Sequence, residues 1–571
     1  MKIVHKSLLA LMLLSGAVSC KKDFLNENPQ SFFSTSNAFS TVADFNASVN
    51  NLYALVRNEF YTVNDYQPFH YLYRTDVAFE ITVTTPNLDA EISPTSSVFN
   101  SHWPNFYKIV SEANTIIGRL PASQLTAAEK TAFEAKAKFF RAFAYRSLAY
   151  LWGDVPLVLE EVKTEKTDLT RAPRKTVYAQ AIEDLKFAAQ NLPTVAAAAD
   201  GEISNLAAQH LLSEVYLADG QYQNAVTAAS AVIDDPNMGL MTARFGKRST
   251  VTPGDVYWDL FQTGNQNRKG AGNKEGIWVI QFEPDAIGGG ASTAGAQSGV
   301  YALERVHAPL VRDLRVNGVT PFQWPIGDYT GGRGVGFLAP SLHFMNTVYQ
   351  SDFNNDIRNA NHNFVREFVA NNPASPLYGK VISTRNVPAG TTGVNGAAVT
   401  SNKPDRAFYP YQTKATTPYN HPAVLYVNPG SSDPILKYQL KGSAGGTYTD
   451  QYMFRLAETY LLRAEAYLGL NNNTAAANDI NKVRSRSNAS AAAPGDVTLD
   501  YILDERIREL GVEEKRMLTL CRLGKFYDRV SRLNPFYGPQ MKPHFNLWPI
   551  PFSEIERNRS VKMPQNPGYP Q

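Results

Sequence analysis

Residues 201–235 read GEISNLAAQHLLSEVYLADGQYQNAVTAASAVIDD, and they decide the fold. Leu211, Leu212, Val215 and Tyr216 recur at helical spacing and form one apolar stripe. Gly220 breaks the stripe. Tyr222, Ala225, Val226, Ala229, Val232 and Ile233 then form a second, which Pro236 closes. A helix, a Gly turn and a helix with small residues at the crossing is the tetratricopeptide pattern, a unit of about 34 residues. Phe454 to Arg486 repeats it, with a turn at 469–473, and Phe133–Trp152 and Tyr178–Leu192 give weaker versions. The expected fold is therefore all-α, built of tetratricopeptide-like repeats.

Outward from the repeats the pattern changes. Residues 285–336 are rich in Gly and interleaved with Tyr301, Trp324 and Tyr329, and residues 373–434 are rich in Pro, Gly, Thr and Asn. Long irregular stretches inside a compact chain are functional or disordered, and the aromatics speak against disorder. The division expected is N-terminal repeats over 20–240, a loop-rich ligand-face insertion over 241–450, and a C-terminal repeat with a closing segment over 451–571.

The first nineteen residues read as an export signal. Lys2 and Lys6 precede a short apolar run, LLALMLLS, and Ala17-Val18-Ser19 places small residues directly before Cys20. The run is too short to span a bilayer. Small residues followed at once by Cys resemble a bacterial lipobox, which predicts diacylglycerol on Cys20 and attachment to membrane lipid. The other cysteine, Cys521, lies in a helical pattern and reads as a small buried apolar residue.

The 571 residues carry 55 Lys plus Arg against 52 Asp plus Glu, a formal net charge of +3. With no basic block, the chain lacks the footprint of a nucleic-acid binder. Catalytic signatures fail in turn. The nine histidines form no HExxH and no metal-ligand pair, so no metal or cofactor is expected. Gly290–Ala294 lacks the second Gly of a nucleophile elbow, and Phe337 stands where a dinucleotide fingerprint needs Gly. Asp352, Asn354 and Asp356 open like a calcium loop, but Ile357 takes the Gly position and Asn363 the bidentate Glu position. Glu505, Arg506, Arg508, Glu509 and Arg516 read as an ion-pair network within the scaffold rather than an acid–base site. No catalytic residue is assigned.

An ordered series of motifs resembles the SusD/RagB-like family of outer-membrane nutrient-binding lipoproteins. Cys20 is followed by Phe24-Leu25-Asn26 and Pro29, and Arg141-Ala142-Phe143-Ala144-Tyr145 leads to Gly153-Asp154-Val155-Pro156. Asp356-Ile357-Arg358, Arg455-Leu456-Ala457-Glu458, Glu505-Arg506, Pro549-Ile550-Pro551 and Gln565-Asn566-Pro567-Gly568-Tyr569 complete it. Thr519 departs from the pattern, where the family often carries Asp. The resemblance implies a non-enzymatic lipoprotein at the cell surface, lying over a SusC-like TonB-dependent β-barrel transporter and capturing oligosaccharides for import. A RagB-like subunit capturing peptides is the alternative; a lipid-anchored glycan hydrolase and a protein-binding repeat adaptor are others. Candidate ligand residues are Asp76 and Trp103, near a loop aspartate common in the family, and Tyr301, Trp324 and Tyr329 in the insertion, where rings suit the apolar faces of sugars.

Overall fold

The computed structural model describes residues 39–62, 67–286, 301–323 and 331–570. Cys20, Trp324 and Tyr329 lie outside them. Six helices come first: α1 Val42–Tyr61, α2 Ser97–Arg119, α3 Ala127–Trp152, α4 Arg174–Asn191, α5 Asn205–Ala218 and α6 Tyr222–Ile233. Their starts are written in short side chains. Thr41 with Asp44 and Thr126 with Glu129 form capping boxes, and Ser204 caps α5. Gly153, at φ 76°, and Gly220, at φ 72°, end α3 and the α5 turn in conformations that side chains resist.

The helices stack in chain order, each on its predecessor. The stack then continues across a long interruption. Helix α6 packs on α7, Leu456–Gly469, which pairs with α8, Asn473–Arg486. Residues 234–455 are thus looped out of an otherwise continuous helical layer. Helices α9 Leu499–Glu509, α10 Arg516–Arg522, α11 Phe526–Leu533 and α12 Phe552–Arg557 finish the chain. Among the described residues no helix is long and apolar enough to cross a membrane.

The interruption carries short antiparallel ribbons. Strand β1, Ala78–Glu80, pairs with β3, Leu338–Pro340. Strand β2, Gly276–Ile280, pairs with β6, Gln451–Arg455, at the neck of the insertion. Strands β4, Glu367–Val369, and β5, Val381–Ser383, form a hairpin. Phe454, read from sequence as the opening of the last repeat, belongs to β6. Tyr452, Phe454 and Trp278 of β2 are all buried, and Trp278 lies among the rings of Phe139, Phe143 and Phe454 at 5.6–5.7 Å.

One apolar cluster runs from Phe45 to Tyr569 and takes in Tyr301, Phe344 and Phe364 of the insertion. A second, around Phe322, Phe368, Phe408 and Tyr411, belongs to the insertion itself. Charges bind the two layers as well. Buried Arg358, from the insertion, donates to Asp356 and reaches Glu505 at 2.7 Å and Glu509 at 3.0 Å on α9. The acidic and basic residues of α9 and α10 therefore form the expected scaffold network, extended by Arg455, Arg484 and Arg486.

Candidate functional site

A cleft of about 500 Å3 opens in the insertion, where three separate loops meet. The first supplies Arg248, Thr252 and Trp258, the second Asn361, His362 and Glu367, and the third Thr417, Pro418 and Tyr419. The first loop is pinned from below. Arg244 pairs with Asp259 at 2.6 Å and donates to the carbonyls of Arg248, Val251 and Gly254. This holds Trp258 in place, and the Arg248 guanidinium sits 4.7 Å over its ring.

The first and second loops are tied through Asp255. One carboxylate oxygen caps the short helix at Trp258, while the other accepts from Asn363 and pairs with His362 Nε2 at 2.5 Å. His362 is thereby fixed with its imidazole in the cleft lining. The third loop is fastened to the helical layer by Lys414. Its ammonium donates to the carbonyls of Glu509 and Leu510 and to Glu513, and burial pulls its pKa down to about 8.

Tyr419 follows Pro418 at the rim. Its φ of 61° lies in the left-handed region, a costly conformation for a bulky side chain. The residue is 49% exposed and meets Tyr438 edge-on at 4.6 Å. Tyr419 thus stands at the edge of a cleft whose walls also carry Val251, Pro253, Val365, Phe368 and Val369, so the lining is largely apolar with polar groups set into it. The lining combines an indole, a phenol ring, a guanidinium, an imidazole, a carboxylate and threonine hydroxyls. Such a set suits a hydroxyl-rich ligand with apolar C–H faces.

The sequence-derived candidates fall elsewhere or outside. Asp76 is fully buried, and both its oxygens are taken by Arg516 and Arg529 at 2.7–2.8 Å. Tyr301 is also buried, stacked on Phe69 at 5.4 Å and edge-on to Tyr61. These two are core residues and present nothing to a ligand in this conformation. Trp103 is buried in α2 against Trp152 and Tyr107, and reaches only the wall of a different groove. Asp352 and Asp356, the calcium-like pair, are occupied by Arg484 and Arg358. Thr519 keeps a scaffold contact, donating to Glu514 at 2.8 Å.

Of the described residues on either side of 324–330, Gly331 lies against the cleft residue Tyr411, where a Cβ would collide with the phenol, while Gln323 N–H donates to Asn371 just beyond β4, outside the cleft lining. The cleft residues missed by sequence reading, Trp258, His362 and Tyr419, are far apart in the chain and share no spacing. Pro418-Tyr419-Asn420 in a turn-rich stretch was the one local signal.

A helical-repeat scaffold interrupted by a loop-built cleft is the class that this geometry defines. The chain belongs to the SusD family: that family's model matches residues 274–569, and a second, described as starch-binding associating with outer membrane, matches residues 23–217. SusD-like protein P2 of Formosa agariphila is 25% identical over 580 residues, spanning 98% of each chain. The starch-binding protein SusD of Bacteroides thetaiotaomicron is 37% identical over 146 residues, 24% of this chain and 26% of its own. A laminarin-binding SusD-like protein of solved structure superposes with a TM-score of 0.63 at 22% identity, covering 93% of this chain and all of that one.

Proposed function

We propose that this protein is a cell-surface lipoprotein, anchored through Cys20, that captures oligosaccharides in the insertion cleft for import through a partner TonB-dependent barrel. The observation that carries the ligand class is Tyr419, a strained and exposed ring that shares a largely apolar cleft with Trp258 and with the polar groups of Arg248, His362, Glu367 and Thr417. The relatives that bind starch and laminarin support the same class. In this reading the protein holds its ligand without hydrolysing it, and turnover of any glycan by the purified protein would overturn that part. Trp324 and Tyr329, outside the described residues, stay candidate ligand residues in this reading on the sequence pattern alone.

The test is calorimetric titration with a panel of neutral and acidic polysaccharides, starting with laminarin and starch. Tyr419→Ala loses a stacked ring worth roughly 1–3 kcal/mol, about ten- to hundredfold in affinity, while Tyr419→Phe keeps most of it. Trp324→Ala weakens the same ligand. Unchanged binding by Tyr419→Ala and Trp324→Ala together would remove the site from this cleft, and preference for peptides over every glycan would replace the ligand class.

A further inference from the structure

A second groove, of about 450 Å3, lies away from the insertion cleft. Helix α2, the extended stretch 156–169 and α12 wall it. Its interior is made of Val110, Pro156, Val158, Val162, Leu169 and Met563. Val162, 43% exposed, adds its side chain to the groove from the 156–169 stretch.

Most polar groups of this wall are engaged with one another, the exposed Glu165 excepted. Tyr107 donates to the carbonyl of Pro156, and Asn114 to those of Val158 and Glu160. Asn558 donates to the carbonyls of Leu169 and Val561, and Arg557 pairs with Glu554. Little is left for sugar hydroxyls, and no aromatic face is bared, because Trp103 and its neighbour Tyr107 pack edge and face within the protein. Two cations and one carboxylate remain at the rim. Lys108, Lys166 and Glu165 are exposed and line the groove, and among the described residues none of the three has an ion-pair partner, which leaves the rim net positive. An aliphatic trough with unpaired ammonium groups at its edge is complementary to a flexible chain that ends in an anion.

We propose that this groove binds a free fatty-acid anion, its aliphatic chain along Val158, Val162 and Leu169 and its carboxylate on Lys108 and Lys166. The site is independent of glycan capture in the insertion cleft and shares no lining residue with it.

The probe is dodecanoate below its micellar concentration, titrated calorimetrically into the full mature chain, with decanoate and dodecyltrimethylammonium as comparisons. One dodecanoate binds per chain. Decanoate binds at least tenfold more weakly, since each methylene moved out of water carries about a fourfold factor. The cationic analogue binds more weakly than the anion, and Lys108→Glu with Lys166→Glu reverses that preference. Val162→Glu, at an exposed position that leaves the melting temperature unchanged, weakens dodecanoate at least tenfold and leaves glycan binding intact. Absence of dodecanoate binding, as when another part of this chain, a second copy or a protein partner fills the groove, overturns the proposal. So does dodecanoate binding that is indifferent to Val162→Glu or to the two lysine reversals.

Discussion

Asp76 shows how much a single buried carboxylate can hold. Burial alone would push its proton affinity up, but Arg516 and Arg529 overcome that and keep it well below the usual carboxylate range. Glu505 and Glu509 are held down in the same way, by Arg358, Arg508 and Arg484 in one case and Arg486, Arg455 and Arg358 in the other. A carboxylate with depressed affinity in the folded state stabilises fully above its unfolded value, near pH 4, and that contribution is lost as pH falls through and below it. Burial also lowers the proton affinity of His70, His210 and His307, which the unfolded chain would protonate from about pH 6.5 down. Melting temperature should therefore begin to fall below about pH 6.5 and fall more steeply below about 4. Asp76→Asn should cost about 3 kcal/mol, because Arg516 and Arg529 lose the carboxylate they share and keep only Glu514 on one side and Asp500 and Asp504 on the other. Arg532→Ala, which removes an exposed pair with Asp528, should change stability by less than about 0.5 kcal/mol in the same denaturant titration. Equal effects from the two would show that burial is not what gives the Asp76 pair its strength.

At the scale of elements, the turn between α5 and α6 isolates a conformational cost from a packing cost. Gly220 has a φ of 72°, and a Cβ built there meets no atom within 4 Å. Gly220→Ala should thus lower stability by about 1 kcal/mol through backbone strain alone, and Gly220→Asn by less, as chemical denaturation would read. A loss of several kcal/mol would mean that the repeat interface itself had shifted. This turn was legible in the sequence because its signal is local: two apolar stripes, a Gly and a Pro within 36 residues. The ion network of α9 and α10 was legible for the same reason, since Glu505, Arg508 and Glu509 share helical spacing. The cleft was not. Its walls come from residues 248–258, 361–369 and 411–419, and only the folded chain brings them together. Tyr301 was misread for a related reason: an aromatic among glycines has the same sequence signature whether it faces solvent or, as here, Phe69 and Tyr61.

For the whole molecule, the insertion is welded to the helical layer rather than hung from it. The main core includes Tyr301, Leu338, Phe344 and Phe364, and Arg358 closes the charge network of α9. Scanning calorimetry should accordingly give a single cooperative transition, with loss of the cleft and of the helices coinciding; two separated transitions would show an autonomous ligand-face domain. The seam between α6 and α7 carries a further consequence for how the chain reaches this state. Helices α1 to α6 lie next to their partners in sequence and collapse locally, but α6 waits for a mate more than two hundred residues downstream. Closing so long a loop is slow, and the joint forms late. Until then the face of α6 that carries Tyr222 and Ser230, which meet Gly469 and Arg463 of α7, stands bare. A folding chain has to pass through that sticky half-built stage, which makes the seam the place where a stray apolar surface has the longest time to find the wrong partner.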